Sequence, residues 1–249
     1  MLYEPFRFDS SIQLREGRFA EGKRRIGMAA GELIREHETV GFTAGTTTTQ
    51  AARCIRHRTG IHVITNAVNI SMELSHQVAL DVTLTGGNMH WAGAFSLTGP
   101  TAMEMLGGVF LDKAFVGACG VEVLRGATTI EPDEAAMFRA MVRQAKQVIV
   151  LADSSKIAMT SPALICQVSD IDILMTDSGI TPDALAASRP MACRCWRSDD
   201  FPGPSNSALA WKSTDLQSGR RVPGGRRSGI CLAGKRRAPH REARWAGGF

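Results

Sequence analysis

"GFTAGTTTTQ", Gly41 to Gln50, sets four threonines in a row after a glycine. On one side lies a strand-like run, "TVGFTA" at 39–44; on the other, Ala51, Ala52 and Ile55 fall at helical spacing. A strand that breaks at glycine and resumes as a helix is a βα junction. In an open parallel sheet such junctions lie at the carboxyl ends of the strands, where ligands bind. Glycine lets the backbone approach a ligand, the first N–H groups of the helix point at it, and hydroxyls donate further bonds. A phosphate monoester suits that loop. The plainer reading makes the threonines helix caps, a task for which one would suffice.

The same alternation extends in both directions. Ile26, Ala29, Ala30, Leu33 and Ile34 recur at i, i+3, i+4, i+7 and i+8 between Arg18 and Glu36, which predicts a helix with one buried face. "IHVITN" (61–66) reads as a strand followed by a helix to Leu74, and "DVTLTGG" (81–87) as a strand ending in glycines. A helix is expected near 101–106, then a buried strand at "KAFVGACG" (113–120). Residues 133–147 predict another helix: Pro132 suits its first turn, Asp133 and Glu134 its positive end, and Lys146 its negative end. "QVIVLAD" (147–153) and "IDILMTD" (171–177) complete the strands. Strands alternating with helices predict an α/β protein with an open, mostly parallel sheet and helices on both faces. Residues 1–16 have no clear period.

At 249 residues, 44% of them hydrophobic, the chain has room for one generous α/β domain, or a domain plus an appendage. The longest apolar stretch, around Val148 to Ala152, is far short of the ~20 residues a bilayer requires. The first seven residues lack a secretory signal's apolar core, so a cytoplasmic location without a membrane partner is expected. The six cysteines are scattered, and only Cys193 and Cys195 stand close, with no second pair or nearby histidine. Neither disulfide staples nor a structural metal is expected.

The net charge of +5 misleads. Residues 1–187 hold 16 Lys and Arg against 20 Asp and Glu, whereas residues 188–249 hold 13 against 4. Basicity that would suggest a nucleic-acid partner is confined to the tail. After Ala187 the periodicity stops, and Arg, Gly, Pro and Ser crowd a stretch that cannot bury enough apolar surface to offset the entropy of ordering. Three segments follow: 1–16 as a linker, 17–187 as the folded domain, and 188–249 as a disordered basic tail.

Small polar groups gather at the expected strand ends: Gly45 to Thr49, Thr65 with Asn66, Gly86 with Gly87, Asp153 with Lys156, and Thr176 with Asp177. Absences narrow the ligand. There is no G-x-x-x-x-G-K-[ST] loop, no G-x-G-x-x-G after the first strand, and no G-x-S-x-G elbow. A small phosphorylated ligand is what remains, with no cofactor. Taken alone, Asp112 reads as a turn residue, Lys156 as a surface charge, and Glu134 and Arg139 as exposed helix residues.

In order along the chain stand "EGKRRIGMAAGELI", "GFTAGTTTTQAA", "IHVITNAVNISMEL", "VTLTGGN", "GAFSLTGPTAMEML", "FLDKAFVGACGVEVLRGATTIEPDEAAMFRAMV", "VIVLADSSKI" and "IDILMTD". This series, covering about residues 15 to 186, resembles the C-terminal sensor domain of the DeoR family of bacterial sugar-metabolism repressors. The resemblance implies a fold similar to ribose-5-phosphate isomerase and the amino-sugar-phosphate deaminases. It further implies binding of a phosphorylated sugar or related metabolite, homo-oligomerisation, and no catalysis. Gly45, Thr46, Thr47 and Thr48 match the loop expected to hold the phosphate. Thr65, Asn66, Gly86 and Gly87 match the neighbouring strand ends. Asp112, Gly120, Glu134, Arg139 and Lys156 match positions around the same cleft, Lys156 supplying positive charge and Asp112 accepting from sugar hydroxyls.

Both ends depart from the family. Its members begin with a winged helix-turn-helix of some fifty residues that reads operator DNA, and residues 1–16 are too short to form one, so operator binding is expected only where that module is supplied. The family's domain also closes with a short hydrophobic strand soon after the position of Ala187, and no such strand is evident. The tail reads as out-of-frame translation; the competing reading takes "GRRVPGGRRSG" and "GKRRAPHREARW" as an arm that binds nucleic-acid phosphates non-specifically. The functional alternative is a sugar-phosphate isomerase or deaminase on the same fold. Such an enzyme needs a positioned general base, for which Asp112 and Glu134 are the candidates.

Overall fold

Runs of valine, isoleucine and phenylalanine build the centre of this molecule, because strands covered on both faces have no side to give to water. The computed structural model describes residues 12–89, 95–181 and 194–197. Two helices come first, α1 (Ile12–Gly17) and α2 (Ala20–Glu32). Two βα units and a third strand follow: β1 (Thr39–Phe42), α3 (Thr46–Cys54), β2 (Ile61–Thr65), α4 (Val68–Leu74) and β3 (Leu80–Leu84). A short hairpin, β4 (Asn88–Met89) and β5 (Leu97–Thr98), leads to α5 (Pro100–Gly107) and β6 (Leu111–Gly117). Then come β7 (Gly120–Glu122), β8 (Gly126–Thr129), α6 (Pro132–Gln144), β9 (Ala145–Leu151), β10 (Ala163–Cys166), β11 (Ile173–Thr176) and β12 (Arg194–Arg197).

Seven strands pair in the order β12-β11-β9-β6-β1-β2-β3, every pairing parallel. The chain runs outward from β1 through β2 to β3, and outward the other way from β6 through β9 and β11. The two directions part between β1 and β6. In a doubly wound sheet that switch point opens a crevice at the carboxyl ends, since the loops on either side lead away from each other. Phe42 and Phe115 are register partners there, their rings stacked with centroids 5.0 Å apart. On one face α2 packs against α3 so closely that a Cβ on Gly27 would lie 2.6 Å from the Gln50 carbonyl carbon. Only glycine permits that approach. α6 packs on β6 and β9 on the opposite face, with α5 against it.

The expected α/β architecture is the one observed, with differences in detail. The helix expected over 133–147 ends at Gln144, because Ala145 already pairs with Leu111 at the start of β9. Residues 12–17 form a helix where no period is visible. β7, β8 and β10 make a separate antiparallel sheet that local pattern does not announce.

The expectation of no strand beyond Ala187 is corrected by β12. Its backbone pairs parallel with β11, Arg194 opposite Ile173 through Arg197 opposite Thr176. An open sheet edge offers unpaired N–H and C=O groups to any extended backbone, so this strand needs no apolar period. Residues 1–11 and the arginine-rich stretches after 197, on which the readings of the tail depend, lie outside the described residues. No helix among the described residues is long and apolar enough to cross a membrane.

Candidate functional site

At the switch point the loop between β1 and α3 crosses the carboxyl end of the sheet. The Thr43 hydroxyl accepts from the Gly117 N–H at 2.9 Å, tying this loop to the end of β6. Gly45 stands at the start of α3, and its carbonyl accepts from the hydroxyls of Thr48 (2.8 Å) and Thr49 (2.7 Å) and from the Thr49 N–H (3.0 Å). The threonines therefore do not cap the helix; two of them bond back to the carbonyl that opens it. The N–H groups of Thr46, Thr47 and Thr48 meet no acceptor among the described residues, as the first turn of a helix leaves them. The Thr46 and Thr47 hydroxyls have no partner there either.

The next strand ends brace this loop. Thr65 is fully buried; its hydroxyl donates to the Phe42 carbonyl at 2.8 Å and accepts from the Ala67 N–H at 3.1 Å. Asn66, equally buried, accepts from the Ala44 N–H at 2.9 Å and donates to Ser96 Oγ at 3.0 Å and to the Leu97 carbonyl at 3.1 Å. Gly87 has φ +104°, and a Cβ there would lie 2.5 Å from the Thr98 carbonyl, so this glycine seats the β5 strand. Gly86 precedes it with φ +69° and open space around it. The Thr65 and Asn66 side chains thus spend their donors within the protein and shape the cleft.

Ser96 links Asn66 to Glu134 in the first turn of α6, whose carboxylate also accepts from Thr129 at 3.4 Å. Burial pushes the Glu134 carboxyl above its usual range; the Ser96 hydroxyl, the Arg15 charge and Thr129 oppose the shift, and Glu131 adds to it.

Past β9 the chain makes a tight 3-10 turn, Ser154–Lys156, in which Asp153 accepts from the Ser155 N–H and hydroxyl. Facing it is a residue that sequence reasoning missed. Lys23 of α2 is 5% exposed, donates to the Arg15 carbonyl, and stands 3.9 Å from Asp153. Desolvation lowers its pKa, Asp153 opposes that, and Lys156 and Arg15 add to the lowering. One signal could have found it: Lys23 interrupts nothing polar, yet it falls on the turn before Ile26 and Ala30, the face that α2 buries. Arg15, the other missed residue, sits in α1, where no pattern marked a helix.

Two expected site residues, Asp112 and Arg139, are engaged away from the threonine loop. Asp112 begins β6 and accepts from the Thr39 N–H at 2.9 Å and from Lys146 at 2.7 Å, both at the amino ends of their strands. Five residues of strand, about 16 Å, separate it from the cleft. Arg139 donates to the carbonyls of Leu164 and Ile165 in β10 and clamps the small sheet to α6. Gly120 opens β7 beside the Ser154–Lys156 turn, where Val121 bridges to Ile157, and a Cβ on it would lie 2.5 Å from the Met159 carbonyl. A depression of about 540 Å³ on the outer flank of α3 and α4 is lined by Arg56 and Glu73, which already pair at 3.1 Å, so it has no free charge from that pair to offer an ion.

Known proteins resemble this chain in sequence. The chain is 36% identical over 171 residues to the HTH-type transcriptional repressor GlcR of Bacillus subtilis, covering 67% of this chain and 64% of that protein. It is 35% identical over 164 residues to the HTH-type transcriptional regulator GlpR of Haloferax volcanii, covering 66% and 64%. The chain thus spans a little under two thirds of the length of these relatives. Among solved structures, ribose 5-phosphate isomerase A from Methanocaldococcus jannaschii aligns with a TM-score of 0.42 at 18% identity, over 55% of this chain and 54% of that one. The family described as the DeoR C terminal sensor domain matches residues 18–178. The chain belongs to that family.

Proposed function

We propose that this chain is the effector-sensing part of a transcriptional repressor of sugar metabolism, and that the strand-end cleft takes a phosphorylated sugar. One observation carries the reading. Unpartnered N–H groups and hydroxyls at Thr46 and Thr47 open onto the switch point, and buried Lys23 with half-buried Lys156 stands at the carboxyl end of β9, two strands and about 10 Å away. Amide donors, hydroxyls and ammonium groups converging on one crevice suit a phosphate monoester. Gly45, Thr46, Thr47 and Lys156 hold the phosphate in this reading, and Glu134 meets the polyol end.

Binding requires no covalent chemistry; it shifts a conformational equilibrium by its differential affinity. An isomerase or deaminase would need its base beside the ligand, and Asp112, one candidate for that base, stands at the opposite end of the sheet. Glu134, the other candidate, lies at the cleft itself, so the sensor reading rests on the relatives, which are named as transcriptional regulators, and not on the lack of a base. The protein acts in the cytoplasm as a homo-oligomer and reaches operator DNA through a helix-turn-helix such as the names of its relatives carry.

A thermal-shift screen of phosphorylated sugars tests the reading. At least one should raise the melting temperature while its dephosphorylated form does not. Equal shifts from both forms, or turnover of any of them to a new sugar or to ammonia, would overturn it.

A further inference from the structure

A helix crosses the rim of the cleft, which the ring of strand-end loops alone would leave open. α1 is fastened on two sides. Outward, Glu16 pairs with Arg53 of α3 at 2.6 Å and accepts from Gln50 Nε2 at 3.5 Å. Inward, the Arg15 carbonyl accepts from Lys23. The Arg15 charge is near enough to Glu134 to favour its ionised form. Arg15 Nε is buried and has no hydrogen-bond partner among the described residues.

A buried donor without an acceptor disfavours the arrangement that buries it. Lys23 has a related vacancy in its bonding. An ammonium carries three donors, and those of Lys23 face the Arg15 carbonyl and Asp153. An acceptor placed in the cleft would complete Lys23 and Arg15 together, without displacing the bond that already joins Lys23 to α1.

We propose that α1 is a strap which an anionic ligand in the cleft locks down, by giving Arg15 Nε its missing acceptor and by sharing Lys23 with the Arg15 carbonyl. The inference rests on the reading of the cleft as a phosphate site. Occupancy of the cleft then sets how firmly the N-terminal side of the domain is anchored, since ligand favours the closed strap by its differential affinity for it.

Trypsin reads the strap directly, because it hydrolyses the peptide bond whose carbonyl Lys23 holds. The full chain is digested in inorganic phosphate and in chloride of equal ionic strength, and the product beginning at Glu16 is followed by mass spectrometry. A synthetic peptide of residues 10–20 corrects for any effect on the protease. With phosphate at roughly four times its dissociation constant, cleavage after Arg15 should slow about fivefold, as the open population falls in proportion. Arg15→Lys keeps the cleavage site and the charge but lacks the Nε donor, and should retain under half of that protection. Lys23→Met should lose it, with Arg143 in α6 remaining uncut as proof of folding. Amide-exchange protection of the first turn of α3 by phosphate, with the Arg15 cut unchanged, overturns the strap and leaves the cleft reading in place. Phosphate that alters neither overturns both.

Discussion

Lys23 of α2 and Asp153 at the end of β9 face each other across 3.9 Å, with side chains 6% and 2% exposed. At that separation the interaction is one of charges and not a hydrogen bond. It nonetheless fixes a cation at the carboxyl end of the sheet that no loop motif supplies. Removing one member of such a pair leaves the other charge buried alone, which costs more than the pair itself contributes. Lys23→Met should destabilise the protein by about 3 kcal/mol in urea unfolding, at the lower end of the range because Asp153 keeps its bonds to Ser155. The double variant Lys23→Met, Asp153→Leu should lose less than the two single variants summed.

In the proposed reading the threonine loop divides into ligand-binding and scaffold residues. Thr46→Val with Thr47→Val should leave unfolding near that of the parent and abolish stabilisation by the responsive sugar phosphate. In the parent, ligand at 100 times its dissociation constant should contribute about 2.7 kcal/mol. Thr48→Val should do the reverse in part: it loses the bond to the Gly45 carbonyl and about 1 kcal/mol of stability. Thermal shift with and without ligand distinguishes the two.

Glu134 makes stability depend on pH in a stated direction. Its folded pKa is raised by burial above the 4.5 of an ordinary glutamate, so the folded state binds the extra proton. The contribution is complete below 4.5 and is lost as pH rises through the folded value. Glu134→Gln should remove that decline from a plot of unfolding free energy against pH. A decline identical in the variant would show that other groups cause it.

Asp112 and Arg139 should behave as structural residues. Asp112→Asn weakens the pairing with Lys146, which is three-quarters exposed, and should cost only about 0.2–1 kcal/mol. Hydrogen bonding to Lys146 and to the Thr39 N–H, with the nearby charges of Lys146 and Lys113, holds this carboxyl below its usual range despite partial burial, so its contribution is present above pH 3.8 and disappears as pH falls through the folded value. Arg139→Met removes a charged donor from two main-chain carbonyls and should cost about 2 kcal/mol. Sugar-phosphate affinity should be unchanged in both, as measured by calorimetry; a tenfold loss in Asp112→Asn would return that residue to the cleft.

Local pattern was enough to read the alternation of strand and helix, and with it the place of the switch point. Continuous apolar runs such as "QVIVLAD" admit burial on both faces, and the glycine-threonine junction can only fall where such a strand ends. Elements whose stability comes from distant partners stayed hidden. α1 is held by Arg53 and Lys23, β12 by the edge of β11, and the sheet of β7, β8 and β10 by Arg139 from α6. Local spacing carries no trace of those partners.

Direction along a strand is likewise settled by folding and not by local pattern. Asp112 and Gly117 belong to one strand and one motif, yet the strand carries them to opposite ends of the sheet. Lys23 lies far from Asp153 in the chain and meets it because α2 packs over β9 and β11. Side-chain chemistry is written locally, but the meeting of two charges depends on packing between elements that fold back on each other, and spacing in a sequence does not encode that distance.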